Sequence, residues 1–123
     1  MVRKEEVLTG LLVNLPGGQG QRATEIKDLY SGIDTISVEL ISALESGQTE
    51  NFRWLFALIE KYLRDGDQEV QELISYGLID HMQEGLIRKE RKLSAFDTWL
   101  RPETKVVWQN MIDVWSLNDK RDY

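Results

Sequence analysis

The chain has no cysteine. That excludes disulfides, a thiol nucleophile, thiolate-bound zinc and iron–sulfur clusters. It has one histidine, His81, so a metal centre built on several imidazoles is excluded as well. Base is in short supply: 15 Lys and Arg face 21 Asp and Glu, a net charge of −6. A general DNA or RNA binder needs a basic footprint, and adhesion to anionic membrane needs basic clusters; this balance argues against both. Long apolar runs are missing too, since nothing approaches the roughly 18–20 residues of a membrane span. The opening MVRKEEVLTGLLVNL lacks the pattern of a secretory signal, because Glu5 and Glu6 interrupt it and Pro16-Gly17-Gly18 follows a short apolar stretch. A cytoplasmic location is the expectation.

What is present is helical spacing. At 123 residues the chain fits one domain, residues 1–123, with a core large enough to need no staples. Val7, Leu8, Leu11, Leu12 and Leu15 mark one helix face, and the glycine-rich residues 16–22 stop it. A second pattern opens at Ile26, Leu29 and Tyr30. It runs through Ile33, Ile36, Leu40, Ile41 and Leu44, with a break or kink expected at Ser31-Gly32 and an end at Gly47. The third helix is expected from an N-cap at Thr49, along Phe52, Leu55, Phe56, Ile59, Tyr62 and Leu63, to Gly66. Asp67 should cap a fourth helix with the stripe Val70, Leu73, Ile74, Gly77, Leu78 and Met82. The short loop makes these two antiparallel neighbours. Gly77 inside the stripe suggests close approach of another helix. A short helix capped by Ser94 is expected over 94–100. Pro102 suits the first turn of a last helix carrying Val107, Trp108, Met111, Ile112 and Trp115. The polar tail 118–123 should fray. The expected fold is all-α: one irregular bundle of about five to six helices, or stacked αα-hairpins.

Candidate chemistry is thin. His81 adjoins Asp80 and has Glu84 near by in sequence, but it sits beside an apolar stripe, and packing explains it. The run 65–69 mimics the start of a calcium loop, yet Val70 and Tyr76 stand where that loop needs Gly and Glu. Residues 16–22 lack the Gly-Lys-Ser/Thr ending of a phosphate loop. No catalytic residue, cofactor or metal is assigned, and no enzyme activity is expected. Trp54 falls off the stripe of its helix and is a candidate interface residue.

Charge segregation says more. Residues 28–52 carry Asp28, Asp34, Glu39, Glu45 and Glu50 with no base; residues 65–87 carry Asp65, Asp67, Glu69, Glu72, Asp80 and Glu84, again with none. These two blocks hold 11 of the 21 acids, while Arg88, Lys89, Arg91 and Lys92 cluster just beyond. The pattern keeps a domain soluble, or it makes an acidic docking surface for a basic partner. On the second reading the partner-binding residues are Asp65, Asp67, Glu69, Glu72, Asp80 and Glu84, then Glu45, Glu50 and Trp54.

Residues 52–115 carry a series of short motifs: Phe56-Ala57-Leu58-Ile59-Glu60, Gly66-Asp67, the helix from Val70 to Gly77, Leu100-Arg101-Pro102-Glu103-Thr104, then Trp108 and Trp115. In order and spacing this resembles a family of small, acidic, all-helical bacterial proteins of uncharacterised function. Such proteins look like immunity proteins, the antidotes encoded beside secreted toxin domains. The resemblance implies no catalytic residue. It implies a cytoplasmic protein that neutralises a toxin domain, expected to be a basic nuclease encoded near by, by covering its active-site surface. The alternative is a protein–protein adaptor or regulatory domain without a toxin.

Overall fold

The computed structural model of the chain describes residues 3–15 and 29–121. In chain order it has α1 (Lys4–Val13), α2 (Leu29–Ser46), α3 (Phe52–Asp65), α4 (Gln68–Glu72), a π-helical segment (Leu73–Ile79), α5 (Asp80–Arg88), a 3-10 turn (Leu93–Phe96) and α6 (Pro102–Arg121). The described residues hold no strand, and the fold is all-α. The backbone stays helical through both joints of α4, the π segment and α5, so these three form one unbroken rod from Gln68 to Arg88. Helix α2 lies along the rod, α1 crosses α2, α3 and α4, and α6 packs on α3 and the π segment. The result is an irregular bundle. The expected loop at 16–22 and the start of the second pattern at Ile26 lie outside the described residues.

Local punctuation accounts for most boundaries. Gly47 ends α2 with φ of +78°, a left-handed conformation that a side chain disfavours. Asp67 caps α4: its Oδ1 accepts the Val70 N–H at 2.9 Å. Pro102 opens α6, where its missing N–H leaves no bond unmade. Other boundaries differ from expectation. Asn51, not Thr49, is the N-cap position of α3, and Lys92, not Ser94, precedes a 3-10 turn that stops at Phe96. Helix α6 runs through Arg121, well into the polar tail expected to fray.

Ser31-Gly32 does not break α2. Gly32 is buried with the Leu8 side chain occupying the space a Cβ would need, so it marks where α1 crosses α2. Gly77 has no such role, since a Cβ there would meet Ile33 Cγ2 at an ordinary 3.7 Å. The close approach on the rod is at Gly85, where a Cβ would fall 2.5 Å from Ile41 Cδ1.

One hydrophobic cluster joins all the elements, from Val7 and Leu11 through Ile36, Phe56 and Leu78 to Phe96 and Trp108. Aromatic rings fasten the segment 93–99 to α3 on one side and to α6 on the other. Phe52 meets Trp99 edge-on at 5.0 Å, and Phe96 meets Trp108 edge-on at 6.0 Å. The buried Trp108 indole donates to the Leu93 carbonyl at 3.0 Å, so its polar edge is satisfied.

Candidate docking surface

The rod decides which side chains face solvent. Val70, Ile74, Leu78, Met82 and Leu86, every fourth position, form its central buried row, and Ile79 and Gln83 are buried beside it. In an α-helix an unbroken series of i+4 steps drifts round the axis by about 40° per step. Val70 to Leu86 spans 16 residues, where four α-helical turns need only about 14. A π turn closes i→i+5 bonds and absorbs extra residues. The segment Leu73–Ile79 does this, and the apolar row stays on the core across the whole rod.

The same straightening aligns the opposite side. Two residues round from the core row lie Gln68, Glu72, Tyr76, Asp80, Glu84 and Arg88. Gln68, Glu72, Tyr76 and Arg88 are exposed, and Asp80 and Glu84 are half-buried. Tyr76, 69% exposed, stands in the middle of the row. Three of the expected partner-binding acids, Glu72, Asp80 and Glu84, therefore share one line about 18 Å long. Burial, followed by the Glu84 charge, pushes the Asp80 carboxyl above its usual range, with His81 pulling the other way. Asp80 has no hydrogen-bond or ion-pair partner among the described residues. Glu84 pairs with Arg88, and Glu72 accepts from Gln68 Nε2 at 3.1 Å.

The other expected acids are dispersed. Asp67 is occupied as the cap of α4. Glu69 pairs with Lys4 at 3.1 Å. Glu45 holds Lys89 at 2.7 Å and Arg91 at 3.0 Å, tying the end of α2 to the residues after the rod. Hydrogen bonds from Lys89 and Arg91 lower the Glu45 carboxyl below its usual range. Much of the basic run is thus neutralised inside the molecule. Asp65 and Glu50 are exposed, at the end of α3 and between α2 and α3. Trp54 is 62% exposed on α3 and lines an apolar groove of about 220 Å³ with Ala57, Leu58 and Lys61.

His81 is half-buried, and its Nδ1 lies 2.7 Å from the Gly77 carbonyl of the π segment. That contact puts the proton on Nδ1 when the ring is neutral. The ring lines neither the Trp54 groove nor the cleft beside Trp99.

A further residue joins two sequence motifs. Glu60 is 6% exposed. Its Oε2 accepts the Glu103 N–H at 3.0 Å, and its Oε1 accepts the Thr104 N–H at 2.8 Å and the Thr104 hydroxyl at 2.7 Å. Burial opposes the charge, but these bonds and Arg101 outweigh it and hold the carboxyl below its usual range. The Glu of Phe-Ala-Leu-Ile-Glu thus caps the helix that begins Pro-Glu-Thr, from 44 residues away.

Residues 11–116 match a domain of unknown function, DUF7674. The chain belongs to this family. The DUF7674 match reaches from Leu11 in α1 to the last third of α6, so it takes in the N-terminal helices that the motifs over 52–115 leave out. No curated protein and no solved structure matches the chain. Within this DUF7674 domain, the sequence points to the acids of the row as docking residues but assigns no role to Tyr76 or Glu60. The unbroken i+4 spacing was the signal for Tyr76; Glu60 left none, because its partners are distant in sequence.

Proposed function

We propose that this protein is a bacterial immunity protein: it binds a basic toxin domain, a nuclease, and neutralises it by covering the active-site surface. The acidic row Glu72–Tyr76–Asp80–Glu84 is its docking edge. The observation that carries the reading is Asp80, a half-buried carboxylate with no hydrogen-bond or ion-pair partner among the described residues, beside the like charge of Glu84. A fold selected for stability alone has no use for that arrangement, whereas a cationic partner would relieve it. Tyr76 adds an amphipathic ring of the kind enriched at binding hot spots. The basic partner follows from charge complementarity, because nucleases carry positive surface to hold phosphate backbones. The toxin itself follows from the motif resemblance.

The test is co-expression with the product of the neighbouring gene. Co-purification that is lost in the Glu72→Lys/Asp80→Lys double variant, together with restored nuclease activity, supports the reading. Absence of a complex, or a complex indifferent to both charge reversals, refutes it. A complex with a protein that has no toxic activity would point to an adaptor instead.

A further inference from the structure

The opposite chemistry appears at the other end of α3. Arg53 on its first turn and the segment Thr98, Trp99, Leu100, Arg101 and Pro102 line an open cleft of about 480 Å³. That volume lies within the range of small-molecule sites. Neither Arg53 nor Arg101 has an ion-pair partner among the described residues, although the chain has acids to spare. Arg101 attracts Glu60, but both Glu60 oxygens are engaged by α6, so the guanidinium keeps its donors for another acceptor. Trp99 is held in place by its edge-on contact with Phe52. The segment carrying it is tight: the Trp99 and Leu100 N–H groups both bond the Phe96 carbonyl, at 2.9 and 3.2 Å.

We infer that this cleft binds a small planar molecule carrying a phosphate, a nucleoside monophosphate, with the phosphate on Arg53 and Arg101 and the base against Trp99. Guanidinium forks match phosphate oxygens two at a time, and a base stacks on an indole whatever its sequence identity. The net charge of −6 does not forbid it. Surface charges beyond about 8 Å are largely screened at physiological salt, so the local guanidinium pair decides. The cleft is separate from the acidic row, and its occupancy is independent of the docking reading.

The test is titration of the isotope-labelled full chain with AMP, adenosine and inorganic phosphate, following the Trp99 and Trp54 indole N–H resonances. AMP should shift Trp99 saturably below about 1 mM and leave Trp54 in place. Adenosine and phosphate should each bind at least about tenfold more weakly, since each makes half the contacts. The Arg53→Gln/Arg101→Gln variant, altered only at exposed positions, should lose about tenfold or more in AMP affinity. No saturable Trp99 shift, or AMP affinity unchanged in that variant, overturns the proposal. Phosphate binding as tightly as AMP overturns it too, since the base would then contribute nothing.

Discussion

Glu60 and Asp80 are both shielded carboxylates, and they act in opposite senses. Glu60 accepts three hydrogen bonds and its pKa is lowered. A lowered folded-state pKa gives stability that is present above the ordinary value near 4.5 and lost as pH falls through the lowered one. Glu60→Gln leaves one acceptor where two are used and turns an amide donor toward a backbone N–H. It should cost about 1–3 kcal/mol at neutral pH by denaturant unfolding, and the difference should shrink in acid, where the wild type loses the same charge. Asp80 has the reverse sign: its folded pKa is raised. The penalty for ionising it is full above the raised value and absent below the ordinary value near 3.8, where both states carry the proton. Asp80→Asn should therefore raise the thermal midpoint at pH 7, by less than about 1 kcal/mol in stability because the site is partly open to water. Near pH 3 it should change nothing. An equal gain at both pH values would mean that the charge is not the cause.

The rod tests whether its central segment is an extra residue absorbed by a helix. Deleting Ser75 from the π segment would let residues 68–88 form a plain α-helix, with the core positions stepping by four, three, four and four. That spacing keeps one face on the core. The variant should fold, with a thermal midpoint lowered by only a few degrees, as a change of about 1 kcal/mol would give. Deleting Lys61 from α3 also removes one residue, an exposed one, but there the helix has no slack. Tyr62 and Leu63 would swing out of the core by about 100°, and the protein should not fold, as circular dichroism would show. Similar behaviour of the two deletions would refute the account. The same distinction explains how much of the fold the sequence discloses. Gly47, Gly66, Asp67 and Pro102 are legible because their effects are local, within a turn of where they stand. Gly32 and Gly85 read as breaks or go unnoticed because their reason is a neighbouring helix, Leu8 in one case and Ile41 in the other. The acids of the candidate site were legible as a set. Their sorting was not, because whether Glu45 is committed to Lys89 and Arg91, or Asp80 to none of the described residues, depends on which helices meet.

Taken over the whole chain, −6 is an uneven field. Lys89 and Arg91 are tied to Glu45, and Arg88 offsets Glu84, so the field of the row rests on Glu72 and Asp80. A partner should then feel attraction along the rod before contact, and the contact itself should be held by shape and aromatic burial. These two contributions separate kinetically. Association steered by charge falls steeply with ionic strength, whereas dissociation depends on the contacts that must break. With the cognate partner, the association rate should drop about tenfold or more between low and near-molar salt, and Glu72→Lys should both lower it and flatten its salt dependence. Trp54→Ala removes an exposed ring and no charge. It should leave association unchanged and speed dissociation about tenfold, if α3 is covered together with the rod. Stopped-flow mixing across a salt series reads both rates. An association rate indifferent to salt would refute steering by the acidic row even if the complex were tight, because affinity can come from contacts alone but salt-sensitive encounter needs the field.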